Sequence, residues 1–192
     1  MTTKKIAILI SGTGTNAVNL IKYFDKSTVA KIQLIISTKK ASPALKSAEI
    51  FGVDTVFFNN ESFKKSGVVL NYLRSVAIDF VVLAGFLMKV PSDIIRAYPN
   101  KIVNLHPSLL PKYGGKGMYG KRVHRAVIEA QESESGISIH FVNKEYDEGT
   151  IIFQAKVIVE KEDSVEVLAK KIQQLEHRFF PRVIEQTISK SL

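Results

Sequence analysis

Lys5-Ile6-Ala7-Ile8-Leu9-Ile10-Ser11-Gly12-Thr13-Gly14-Thr15-Asn16-Ala17 is an apolar run that ends in a glycine-rich turn. From Ile6 to Ile10 no polar side chain interrupts the run, which reads as a strand buried on both faces. Beyond the turn, Asn16–Phe24 places Val18, Leu20, Ile21 and Phe24 near helical spacing. Strand, tight turn and helix in that order open a βαβ unit, and the rest of the chain repeats the pattern.

Ile32–Ile36 and Thr55–Phe58 read as strands, and Pro43–Phe51 between them as a helix. That helix is capped by Ser42, started by Pro43 and stopped by Gly52. A helix over Ser62–Val76 leads to strands at Phe80–Ala84 and Lys101–Leu105. Such alternation implies parallel strands joined by right-handed crossovers. After a loop with Gly114, Gly115, Gly117 and Gly120 comes a helix over Val123–Gln131, then strands at Gly136–Val142 and Ile151–Val159. The short polar stretch between those two strands suits a hairpin, so the sheet should be mixed. Ser164–Ser189 reads as a long amphipathic helix that Pro181 should kink or restart. The expected fold is α/β: a Rossmann-like, mostly parallel sheet with helices on both faces and an antiparallel element in the C-terminal half, in a single domain spanning 1–192.

The composition narrows the chemistry. There is no cysteine, which removes disulfides, thiolate metal sites and a thiol nucleophile. No apolar run is long enough to span a bilayer and the N-terminus lacks a signal-peptide layout, so a cytoplasmic protein with no membrane partner is expected. The net charge of +9 favours an anionic partner, and no acid lies between Asp93 and Glu129. Nucleic acid, a phosphorylated or polycarboxylate small molecule and a merely solvated basic face all fit that charge.

Three segments can carry chemistry. Ser11–Ala17 satisfies G-x-G-x-x-A and offers free N–H groups at a helix start, an anion site. Binding of a dinucleotide would call for an acid after the second strand, where the chain reads Ser37-Thr38-Lys39-Lys40; only a 2′-phosphate cofactor would suit those lysines. Asn104-Leu105-His106-Pro107-Ser108-Leu109-Leu110-Pro111 puts an amide and an imidazole on one face of a strand end, before a proline-stiffened loop. Tyr146-Asp147-Glu148-Gly149 places a carboxylate in the late hairpin. If the fold brings Asp147 to His106, the pair should favour the imidazolium. Of four histidines, His140 reads as a buried supporting residue and His124 and His177 as surface or structural; none has metal spacing, so no metal is expected.

Taken in order, Ile8–Asn16, Val82–Phe86, Val103–Tyr113, Ser138–Val142, Asp147–Gly149, Gln154–Val157 and Glu176-His177 resemble the phosphoribosylglycinamide formyltransferases, a folate-dependent family of purine biosynthesis. The resemblance implies transfer of a formyl group from 10-formyltetrahydrofolate, as co-substrate, to the amine of glycinamide ribonucleotide. It implies that Asn104 and His106 bind the oxyanion and that Asp147 partners His106 in proton transfer. Gly14, Thr15 and Asn16 would hold the ribonucleotide phosphate, with Gln173 and Glu176 reaching it from the last helix. Leu87, Met88, Lys89 and Val90 would line the folate pocket, closed by Asn143, Lys144, Glu145 and Tyr146. Ser138 and His140 would support the catalytic group. Residues 1–100 would then form the phosphate-binding half and 101–192 the catalytic and folate-binding half, of a monomer or homodimer.

This chain departs from the family in two places. It has Asp147-Glu148-Gly149 where Asp-Gly-Gly is usual, so a positive φ at the middle position would cost Glu148 about 1 kcal/mol. Its loop Gly114–Arg122 is longer than the common version. Rival expectations are a methionyl-tRNA formyltransferase, which would continue into an RNA-binding domain, and a formyltetrahydrofolate deformylase, which would carry a preceding regulatory domain. More distant rivals are an NADP-dependent reductase and a basic nucleic-acid binder. The favoured reading involves small-molecule substrates and no nucleic acid.

Overall fold

The computed structural model describes residues 3–190. One seven-stranded sheet runs through the molecule in the order β3-β2-β1-β4-β5-β6-β7. Its strands are β1 (Lys4–Ile10), β2 (Ala30–Ser37), β3 (Asp54–Phe57), β4 (Phe80–Leu83), β5 (Ile102–His106), β6 (Glu134–Phe141) and β7 (Ile151–Ile158). β1 to β5 are parallel, and β6 and β7 add antiparallel to β5. The mixed α/β sheet expected from the sequence is therefore present.

Alternate residues of β1 feed separate cores. Ile6, Ile8 and Ile10 pack with Leu20 and Phe24 of helix α1 (Thr15–Phe24) and with Ile172 and Phe180 of α7 (Val165–Ser189). Ala7 and Leu9 pack on the other face with Phe63 of α3 (Asn60–Lys64), Leu73 of α4 (Val68–Ser75) and Ile94 of α5 (Ser92–Ala97). Both faces are covered, which is why these strands are uniformly apolar. The remaining helices are α2 (Pro43–Ile50) and α6 (Lys121–Glu129).

Three local readings change. The helix expected over Ser62–Val76 is two helices, α3 and α4, broken where Gly67 takes φ +81°. α5 falls in a stretch for which the sequence pattern gave no assignment. α7 continues through Pro181 without interruption. Proline cannot donate to the carbonyl four residues back, which here is His177, and Asn19 of α1 supplies the missing donor at 2.9 Å. The proline is thus accommodated by a neighbouring helix.

The strand order places the crevice. From β1 the chain passes outward to β2 and β3, then returns across β1 to β4, so the loops after β1 and β4 separate at the sheet's C-terminal edge, where such folds bind ligands. Ser11 ties the two loops: its N–H donates to Gly85 O at 3.1 Å and its Oγ accepts from Leu87 N at 3.1 Å.

Candidate functional site

A cavity of about 660 Å³ opens at this edge, with Asn16, Asn104, His106, Asp147, Gln173 and Glu176 in its lining. A smaller cavity of about 60 Å³ adjoins it between Met88–Val90 and Asn143–Tyr146. Phe86, Asn104, Tyr146 and Asp147 line both.

β5 and β6 build the centre by cross-strand pairing. Asn104 lies opposite His140 and His106 opposite Ser138. Asn104 Nδ2 donates to His140 Nε2 at 3.1 Å and to Asp147 Oδ1 at 3.3 Å, so both of its N–H bonds are engaged. His140 Nδ1 lies 2.8 Å from Phe141 O, an acceptor only, which fixes the proton on Nδ1 and leaves Nε2 free to accept from Asn104. Ser138 clamps the proline loop: its Oγ donates to Ser108 O at 2.7 Å and accepts from Leu110 N at 2.9 Å and Gln154 Nε2 at 2.7 Å.

Asp147 reaches His106 because the hairpin turn holds it in the left-handed region at φ +57°. The positive φ falls on Asp147, a residue type that tolerates it, and not on Glu148, so the cost that a positive φ would carry at Glu148 does not arise. Gly149 is required for space: a Cβ there would stand 1.7 Å from Phe141 O.

His106 Nδ1 lies 3.5 Å from Asp147 Oδ2, and Nε2 lies 2.8 Å from Tyr113 O. Contrary to expectation, the imidazolium is not favoured. The ring is 3% exposed, and burial drives its pKa below the ordinary histidine range; Asp147 and the Tyr113 carbonyl offset this only in part. For Asp147, burial opposes the charge, but the contact with His140, the nearby His106 and the Gly115 N–H at 2.9 Å outweigh it and hold the carboxyl below its usual range. Near neutral pH the pair is a neutral imidazole beside a carboxylate. Since Nε2 must keep its proton for Tyr113, the vacant Nδ1 faces Asp147. A proton arriving there would be shared with the carboxylate.

At the other end of the cavity, α1 begins at Gly14 with no side-chain cap, so its first N–H groups are open to an anion. Gly14 takes φ +76° and packs so closely on Ala44 that a Cβ would come within 2.3 Å of it. Asn16 lines the cavity and donates to Glu176 Oε2 at 2.8 Å; burial raises the Glu176 pKa and this bond partly offsets it. Thr15 is exposed at the rim, where Gln173 Nε2 approaches its Oγ1 at 3.5 Å.

In the smaller cavity, Lys89 bridges the two loops. Its Nζ lies 3.9 Å from Glu145 and 5.5 Å from the centre of the Tyr146 ring. Leu87 lines the larger cavity, 44% exposed, and Lys144 lines neither. Among the described residues, no group of three or more His, Asp or Glu could hold a metal, and no helix is long and apolar enough to cross a membrane.

His124, read from sequence as surface or structural, is 6% exposed and lines the large cavity with residues of the long loop. Its position on α6 carried no usable signal, since lone histidines on apolar helix faces are common. Tyr113, which holds His106 through its carbonyl at φ +56°, was also not singled out; a backbone contact leaves no mark in residue identity.

Residues 4–184 match the formyl transferase family model. The chain is 37% identical over 187 residues to a chloroplastic phosphoribosylglycinamide formyltransferase of Arabidopsis thaliana, covering 94% of this chain and 64% of that protein. It is also 37% identical to a phosphoribosylglycinamide formyltransferase of Haemophilus influenzae, with 95% and 86% covered. The crystal structure of a phosphoribosylglycinamide formyltransferase from Bacillus halodurans superimposes with a TM-score of 0.89 at 32% identity, covering 98% of this chain and 97% of that one.

Proposed function

Because the chain belongs to the formyl transferase family, we propose that it transfers the formyl group of 10-formyltetrahydrofolate to the amine of glycinamide ribonucleotide. The observation that carries this reading is that the two cavities meet at Asn104 and Asp147. One cavity has an open helix N-terminus for a phosphate at its far end. The other lies between Met88–Val90 and Asn143–Tyr146, within the segments that the resemblance gives to the folate ring.

Attack of a neutral amine on the formyl carbon places negative charge on the formyl oxygen and positive charge on the amine. Donors aimed at that oxygen lower the barrier by about 3 kcal/mol each. Asn104 can donate by exchanging its longer bond, the one to Asp147 Oδ1 at 3.3 Å, and keeping the shorter one to His140. His106 takes the proton of the attacking amine at Nδ1, becomes an imidazolium matched to Asp147, and returns the proton to the departing folate nitrogen as its bond to the formyl carbon breaks. Burial keeps the ring unprotonated beforehand, so it is ready to take the proton.

On the phosphate side, the N–H groups after Gly14 and the side chains of Thr15, Asn16 and Gln173 serve the ribonucleotide, and Glu176 suits its hydroxyls. On the folate side, Lys89 must leave Glu145 and Tyr146 for the 60 Å³ space to admit a ring. The test is a formyl-transfer assay with both substrates. Activity that disappears in Asn104→Ala and His106→Ala supports the reading, and an inactive wild type overturns it.

A further inference from the structure

Four buried side-chain polar atoms among the described residues have no hydrogen-bond partner: Asn16 Oδ1, His124 Nδ1, Ser135 Oγ and His177 Nε2. Of these residues only Asn16 and His124 line the large cavity. Asn16 already belongs to the ribonucleotide site proposed above, whereas His124 has no role there.

His124 stands in the first turn of α6, and its buried Nδ1 has no hydrogen-bond partner within the described residues. Buried polar groups are paired in the great majority of cases, so an unpartnered ring nitrogen on a residue of the cavity wall calls for a partner from outside the chain. Its neighbours decide the kind of partner. Burial, reinforced by His106, lowers its pKa, so the ring is neutral near pH 7 and offers one donor and one acceptor. The phosphate end of the cavity is already served by the start of α1, and a neutral ring is a poor counter-ion. A hydroxyl or a carboxamide, each able to give and accept a hydrogen bond, is the fitting complement.

Resting on the function proposed above, we infer that His124 is a further substrate-binding residue, which hydrogen-bonds a neutral hydroxyl or amide of the ribonucleotide between its phosphate and its reacting amine.

The experiment follows the His124 ring nitrogens by NMR in ¹⁵N-histidine-labelled protein, with the His124→Gln variant assigning the signal. Saturation with glycinamide ribonucleotide should move those shifts. Ribose 5-phosphate, which keeps the sugar hydroxyls and lacks the amide, should reproduce the movement if the partner is a hydroxyl and not if it is the amide. In calorimetry, His124→Leu should weaken ribonucleotide binding roughly five- to tenfold, the loss of one neutral hydrogen bond. His124→Gln, which retains a donor and an acceptor, should recover part of that loss. Wild-type protein that binds the ribonucleotide with unmoved His124 shifts, or a folded His124→Leu that binds as tightly as wild type, overturns the inference and leaves the proposed function standing. Wild-type protein that binds no ribonucleotide overturns both.

Discussion

Asp147→Asn is the substitution with the most to say about the centre. The backbone at φ +57° accepts asparagine as readily as aspartate, so the turn should persist. What changes is charge. Asp147 now accepts from Gly115 N at 2.9 Å and from Asn104 Nδ2 at 3.3 Å, and faces His106 Nδ1 at 3.5 Å. A neutral amide offers one acceptor to these groups and turns an NH₂ toward one of the donors. Hydrogen bonds to a charged group are worth about 1.5–3 kcal/mol each. In the proposed reaction one of them matters at the barrier, the one to protonated His106, because Asn104 has by then exchanged its bond to Asp147 for the formyl oxygen. Its loss is about 1.5–3 kcal/mol, or roughly 10–10²-fold in kcat. KM for the ribonucleotide should change little, because the phosphate contacts lie at the other end of the cavity. Steady-state formyl transfer, with circular dichroism to check the fold, measures both. A correctly folded Asp147→Asn enzyme with kcat within about fivefold of wild type would refute the pairing of Asp147 with His106 as the proton-handling unit.

Three further outcomes follow from the geometry. Gly149→Ala forces a methyl against the Phe141 carbonyl, which the β5–β6 pairing holds in place, and should cost about 3 kcal/mol or more in urea unfolding. Asn19→Ala strips the His177 carbonyl of its donor and should cost about 1–2 kcal/mol; adding Pro181→Ala restores an intrahelical N–H, so the double-mutant cycle should show coupling, and strict additivity would speak against the compensation. Burial lowers the pKa of His106, His124 and His177, so below about pH 6.5 the unfolded chain takes up protons that the native protein refuses. Stability present above that pH should decline as the pH falls from about 7.5 to 5.5, with a later loss from Asp147 below its unfolded value near 3.9, and a flat denaturant midpoint over the first interval would count against it.

The parallel half was legible because a strand buried on both faces leaves an unbroken apolar run, as Ile6–Ile10 does. The common face of Asn104 and His106 followed from the period of a strand alone. Their link to Asp147 did not, since 41 residues separate Asp147 from His106 and only the β5–β6–β7 pairing closes that distance. The sign of the His106 shift is hidden in the sequence for the same reason. A carboxylate neighbour can be guessed from a motif, while the degree of burial that outweighs it depends on everything packed around the ring. α5 leaves no pattern in the sequence because its six residues are too few to show a period. The continuity of α7 depends on Asn19, far away in sequence and unremarkable in type.

The pairing of β5 with β6 has a consequence for how this centre can fail. Asn104 and His106 are registered against His140 and Ser138, and side chains along a strand alternate between faces. A slip of one residue would not loosen the centre by degrees. With β5 held by β4, a slip of β6 would turn His140 and Ser138 to the opposite face and erase the site in a single step. The late hairpin thus works as a latch with two settings. Local opening of β6 and β7 should abolish turnover while the five parallel strands are still folded, and activity should vanish ahead of the global transition.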